Sequence, residues 1–84
     1  MNTQAIMAMN MAEFAEYRDT TAPAEILAVV AEMRVESATM RKEADKLIFG
    51  NDAEQGSAML KQAKKIEARA SLLYTDARAR AEGW

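Results

Sequence analysis

The sequence predicts an all-α fold: an antiparallel hairpin of two long helices plus a short N-terminal helix, associating into an oligomeric bundle. Hydrophobic residues make up 50% of the chain and aromatic residues 6%, with a single proline, which is a helix-forming composition. Two long segments repeat apolar residues at steps of four and three, the spacing of a coiled-coil seam. When the two segments are paired, the numbers of the two residues in each facing pair add up to 103. A constant sum is what an antiparallel hairpin requires, because one helix runs up while the other runs down. The pairs are Leu47 with Gly56, Ala44 with Met59, Met40 with Ala63, Ser37 with Ile66, Met33 with Ala70, Val30 with Leu73 and Ile26 with Ala77.

The helix boundaries follow from residues that start or stop helices. We expect helices at about 3–18, 23–49 and 53–82 within one domain spanning 1–84. Pro23 belongs in a first helical turn, capped by Thr21 or its neighbour. Gly50 is expected to end the second helix in a left-handed conformation, and Asp52 to cap the third with Gln55 in the capping-box position.

Most seam pairs place a large side chain opposite a small one, which lets two helices approach closely. Two charged pairs are expected to flank this seam, Arg34 with Glu67 and Glu36 with Arg69. Exposed ion pairs contribute only about 0 to 1 kcal/mol, so they support the register without creating the fold.

One side of the hairpin is expected to form an apolar groove between Leu27 and Tyr74 at one end and the hairpin turn at the other. The N-terminal helix is predicted to cover the first half of this groove with Met7, Met11 and Phe14, leaving Met9 and Ile6 outward. The half near the turn then stays open, and large apolar residues clustered on a surface mark a site of association. Its members are Ile48, Phe49 and Leu60.

Composition excludes several classes of protein. The chain has 84 residues, no Cys and no His, so disulfides and the common zinc sites cannot form. No apolar run approaches the ~20 residues of a membrane span, and Met1–Phe14 lacks the pattern of a signal peptide. We therefore expect a cytoplasmic protein that binds no membrane.

The residues give no support to an enzyme, a cofactor or a metal. Ser37, the serine on the seam, is expected to bond to a carbonyl one turn earlier rather than to act as a nucleophile. Most acidic residues alternate with Lys and Arg on polar helix faces, which is the pattern of a solvated surface. We find no catalytic residue, cofactor motif or small-molecule substrate.

A basic stripe raises the question of nucleic acid. Lys61, Lys65 and Arg69 lie on one face of the third predicted helix. The formal net charge of the chain is −2, and groove-reading modules concentrate more positive charge than this stripe does. We favour a solvated face and keep weak phosphate binding as the alternative.

The remaining class is a non-enzymatic protein–protein interaction module, a structural or adaptor subunit that acts by docking helix faces. A small inhibitor of the kind that phages and mobile elements encode, blocking a host protein, is a second interpretation. The seven methionines suit either, because flexible thioether side chains adapt to partner surfaces. The residues expected to contact a protein partner or a second copy are Ile48, Phe49, Leu60, Met7, Met9 and Met11.

Overall fold

The computed structural model describes residues 2–83, which form four helices in the order α1, α2, α3 and α4. Their bounds are Thr3–Ala8, Met11–Thr20, Pro23–Phe49 and Ala53–Ala81. The long helices α3 and α4 pack against each other along the hairpin, which confirms the all-helical hairpin fold. The short helices α1 and α2 lie against this pair, and together we call them the lid.

The single N-terminal helix predicted over 3–18 is wrong, because the segment is two helices broken at Met9 and Asn10. The Asn10 side chain accepts a hydrogen bond from the Glu13 N–H at 2.8 Å. The Glu13 carboxylate accepts one from the Asn10 N–H at 3.0 Å. This capping box supplies partners for backbone donors that otherwise lack them, so a new helix starts here.

The start of α3 differs from the expectation in its cap. Pro23 lies in the first turn as predicted, but the residue before it is Ala22, which makes no side-chain capping bond. Thr21 instead ends α2, where its N–H donates to the Tyr17 carbonyl at 3.1 Å. The N-cap position thus falls on Ala22, the neighbour of Thr21, but the expected side-chain capping bond is absent, and the proline φ angle starts the helix without it.

The hairpin turn depends on glycine, for a reason other than the one we expected. Gly50 has φ −99° and ψ −127°, so the predicted left-handed conformation is wrong. A Cβ atom at Gly50 would lie 2.7 Å from the Lys46 carbonyl oxygen, which excludes other residues without a shift of the backbone. After the turn, the Asp52 carboxylate accepts from the Gln55 N–H at 3.0 Å and caps α4, as predicted.

The seam between α3 and α4 follows the predicted pattern of burial. All fourteen seam positions are buried or half-buried, and the only other fully buried residue of the two helices is Val29. A Cβ atom on Gly56 would lie 2.8 Å from the Ala44 carbonyl oxygen and 2.7 Å from Ile48 Cγ1. The helices therefore approach closely beside the turn, where the sequence places its smallest residue.

The predicted ion pair between Arg34 and Glu67 is wrong. Arg41 holds Glu67 instead, through two hydrogen bonds of 2.6 and 2.7 Å. Arg34 lies over the Tyr74 ring, with its guanidinium carbon 4.6 Å from the ring centroid. In both observed pairs, Arg41 with Glu67 and Arg34 with Tyr74, the two residue numbers add up to 108. Residues beside the seam therefore contact partners whose numbers give a larger sum than the 103 of the seam pairs. The Arg41 guanidinium holds the pKa of Glu67 below its ordinary value by hydrogen bonding, against a smaller opposing effect of burial.

The lid covers the opposite side of the hairpin from the one we predicted. Arg69 donates to the Ile6 carbonyl at 2.6 Å, and Arg80 donates to the Arg18 carbonyl at 2.7 Å. The lid therefore lies on the side of Arg69. The expected ion pair of Arg69 with Glu36 is wrong, because the Arg69 guanidinium binds the lid backbone instead. Within residues 2–83, no lid lies over the predicted groove beside Leu27 and Tyr74.

The break at Asn10 also changes which lid residues face inward. Ile6, expected to point outward, is fully buried, and Phe14 is buried beside it. Met11, expected to point inward, is 67% exposed, while Met7 and Met9 are half-buried against the core. Helix α1 buries Ile6 and helix α2 buries Phe14, each with its own helical phase, while Met11 begins α2 with its side chain exposed.

Candidate protein-docking surface

The largest exposed apolar side chain of the described residues lies at the hairpin turn. Phe49 ends α3 with 89% of its surface exposed. Ile48 precedes it, and Leu60 lies on the facing turn of α4, both of them half-buried. We call Ile48, Phe49 and Leu60 the turn-end patch.

The turn-end patch is open because the lid does not reach it. The start of the lid shares a polar pocket of about 310 Å³ with α3 and α4. The pocket is lined near Thr3 by Met40 on α3 and by Gln62 on α4. From there the lid runs toward Arg80, away from the turn. The hairpin beyond Met40 and Gln62 is consequently a bare pair of helices.

The backbone holds the turn-end patch in place. The Asp52 N–H donates to the Leu47 carbonyl at 3.2 Å, which closes the turn beneath Phe49. Ile48 lies against α4 at Gly56, so its side chain bridges the two helices. A surface on rigid elements loses little conformational entropy when a partner binds, which favours docking.

The charged residues near the turn-end patch are partly neutralised. Lys46 pairs with Glu43 at 3.9 Å, and Arg41 pairs with Glu67 at 2.6 Å. Each pair is exposed to solvent and adds little stability. The other charged residues on this part of the hairpin, among them Asp45 and Lys61, form no ion pair within residues 2–83, so the apolar surface has a charged border, as in the polar rim of a protein interface.

The methionines predicted to bind a partner lie away from this patch. Met7 and Met9 pack partly against the core, and Met11 opens α2 with its side chain exposed. Since the lid runs away from the turn, these residues and the turn-end patch do not form one surface.

The three basic residues of the predicted stripe are not equivalent. Lys61 and Lys65 are exposed. Arg69 is half-buried, donates to the Ile6 carbonyl, and lies over the Phe14 ring at 5.0 Å from the centroid. Its guanidinium holds the lid, so Arg69 does not share a phosphate-facing surface with the two lysines.

Ser37 behaves as predicted for a structural serine. It is buried, and its hydroxyl donates to the Arg34 carbonyl at 3.1 Å. Among residues 2–83 there is also no group of three or more Asp, Glu, His or Cys side chains arranged to hold a metal ion.

Sequence reasoning missed two exposed apolar residues on the outer faces of the long helices. Val35 on α3 is 69% exposed and Leu72 on α4 is 52% exposed. The seam pattern itself contains the signal for Val35, because it lies opposite the seam positions of its helix. It also missed the arginine contacts to lid carbonyls, for which the sequence has no periodic signal.

No protein-family model, curated protein or solved structure matches the chain. In the part of the chain that the structure describes, no helix is long and apolar enough to cross a membrane.

Proposed function

We propose that this chain is a non-enzymatic protein–protein interaction module that docks through its turn-end patch. The observation that carries the proposal is the 89% exposure of Phe49 at the end of a bare pair of helices. Aromatic side chains bury a large apolar area at small entropic cost, so they anchor many interfaces. Ile48 and Leu60 extend this anchor across both helices.

The size of the effect fits a small interface. Burying a large apolar side chain contributes about 1.5 to 3 kcal/mol. Phe49 supplies most of this contribution, and the half-buried Ile48 and Leu60 add the part of their surface that is still exposed. The residues around them then exclude water and contribute to shape.

Two biological settings share this docking mode. In one, the chain is a structural or adaptor subunit whose patch is buried inside a larger assembly. In the other, it is a small inhibitor that covers a site on a host protein. A stable oligomer without a partner favours the inhibitor, whereas recovery only within a large particle favours the subunit.

The test replaces Ile48 and Leu60 together with Ser. We expect the double variant to lose mass in solution, or to lose partner capture, while circular dichroism still reports a helical protein. Ala58→Ser is the matched control, since Ala58 is exposed on α4 away from the patch and should change neither measurement.

Met11→Ser tests the competing surface on the lid. Loss of binding in this variant, with unchanged binding after the Ile48 and Leu60 substitutions, would place the interaction on the methionines. The turn-end patch would then be an exposed surface without a partner.

A further inference from the structure

A shallow groove runs along the outer face of α3, beside the lid and distant from the hairpin turn. It is open to solvent, spans about 670 Å³ and is lined mostly by apolar atoms. Its lining residues are Ala31, Glu32, Val35, Glu36, Thr39 and Met40. Val35 is 69% exposed and opens onto it, beside the half-buried Met40. The groove therefore offers an apolar floor to another helix.

The groove carries unpaired negative charge. Glu32 and Glu36 lie one turn apart, about 6 Å along the helix axis at 1.5 Å per residue. Neither forms an ion pair within residues 2–83. A partner that fits this groove therefore brings positive charge at the same spacing.

The outer face of α4 carries the complementary pattern. Lys61 and Lys65 are exposed, lie one turn apart, and form no ion pair among the described residues. Ala68 and Leu72 continue the same helical face, and Leu72 is 52% exposed. This face thus combines two cations with an exposed apolar side chain.

Lys61 and Lys65 have no ion-pair partner among the described residues, whereas the arginines do have partners. Every arginine in the described part of the chain has a partner within it. The partners are Asp19 for Arg18, the Tyr74 ring for Arg34, Glu67 for Arg41, the Ile6 carbonyl for Arg69, Glu82 for Arg78 and Asp76 for Arg80. The cations of α4 that remain available for another chain are lysines.

We propose that a second copy of this chain docks in the α3 groove through the α4 face carrying Lys61, Lys65 and Leu72. The lysines pair with Glu32 and Glu36, and Leu72 adds apolar contact beside the groove. Because two different faces meet, the contact is head-to-tail and builds a ring or an open chain of copies. The proposal does not rest on the turn-end patch, whose residues take no part in it.

Charge reversal tests this contact. One variant carries Glu32→Lys and Glu36→Lys, and the other carries Lys61→Glu and Lys65→Glu. We expect the unmodified protein to sediment above the mass of one chain at low salt and to lose mass as salt screens the contact. Each variant alone should sediment as a single chain, and an equimolar mixture should recover the assembly because both pairings are again complementary.

Several outcomes would overturn the proposal. A single-chain mass for the unmodified protein at low salt removes the contact altogether. Assembly that survives both reversals places self-association elsewhere, and loss of mass in the Ile48 and Leu60 variant would then assign it to the turn-end patch. Failure of the mixture to assemble would also contradict the proposal. Loss of assembly after nuclease treatment would contradict it as well, because nucleic acid would then be the partner of the lysines.

The variants Glu32→Gln with Glu36→Gln, and Lys61→Gln with Lys65→Gln, control for damage to folding. They remove charge from three exposed positions and from the half-buried Glu36 without adding repulsion. Each should weaken assembly less than the reversal does, and circular dichroism should match the unmodified protein.

Discussion

Two hydroxyl groups of the lid are buried without a hydrogen bond inside residues 2–83, the Thr3 Oγ1 and the Tyr17 OH. Burying a polar group without a partner costs about 1 to 3 kcal/mol. The burial of the apolar side chains of Ile6 and Phe14 nearby offsets this cost. At the scale of single residues, the lid is therefore the part of the molecule with the poorest polar pairing.

Tyr17→Phe should stabilise the protein by about 1 kcal/mol, because it removes a buried hydroxyl that makes no bond. Urea unfolding measures this. Tyr74→Phe is the control, since the Tyr74 hydroxyl accepts from Arg78 at 3.1 Å and its removal should bring no gain. Equal gains at both tyrosines would contradict the assignment.

The same substitution has a pH dependence of known sign. Burial, and to a smaller extent the Glu25 carboxylate, raise the pKa of Tyr17 above its ordinary value of 10.0. The folded state therefore favours the neutral phenol, and this contribution is present below pH 10 and is lost as pH rises through the raised pKa. The advantage of the Phe variant should grow above pH 10, and an advantage that shrinks there would contradict this account.

At the scale of elements, the seam was predictable and the lid was not. The seam follows from a repeat of apolar and small residues that fixes which faces of α3 and α4 meet. The position of the lid depends instead on Arg69 and Arg80 reaching backbone carbonyls, which no spacing reveals. The break between α1 and α2 has a sequence signal, the capping box of Asn10 and Glu13. The helical spacing of the apolar residues on either side favoured one continuous helix instead.

The seam predicts different outcomes for two neighbouring alanines of α4. Ala70 is buried and Ala68 is exposed. Ala70→Leu should overpack its layer and cost about 1 to 3 kcal/mol of unfolding free energy. Ala68→Leu should leave that free energy almost unchanged, so equal losses in the two variants would show that the seam is misplaced.

The arginine contact predicts that the lid can be loosened without unfolding the hairpin. Arg69→Met keeps an unbranched side chain but removes the bond to the Ile6 carbonyl and the contact with the Phe14 ring. Hydrogen exchange at the Met9 amide, which donates to the Ile6 carbonyl at 3.3 Å, should become faster. Amides of the α3 and α4 seam should keep their protection.

Lys65→Met is the matched control for this measurement, because Lys65 is exposed on the same helix, and the hydrogen bonds from α4 to lid carbonyls come from Arg69 and Arg80. It should leave exchange at Met9 unchanged. Uniformly faster exchange across the protein in the Arg69 variant would mean that Arg69 stabilises the whole fold rather than the lid.

At the scale of the whole molecule, the fold class and the exposure of Phe49 could be reasoned from sequence, because both follow from helical phase and from where α3 ends. The partner could not, since an apolar surface specifies burial and not the chain that provides it. The lid leaves the turn end of the hairpin uncovered, and this asymmetry along the molecule is the basis of the proposed docking function.

The central claim is that another protein chain covers Phe49, and site-specific photo-cross-linking tests it most directly. A benzophenone-bearing amino acid replaces Phe49 in one variant and Thr75, an exposed residue near the far end of α4, in the control. In the source cell, we expect a covalent adduct between position 49 and a protein chain, either a second copy or a partner, and a much weaker adduct from position 75. Equal adducts from both positions, or none from position 49, would contradict docking through the turn-end patch.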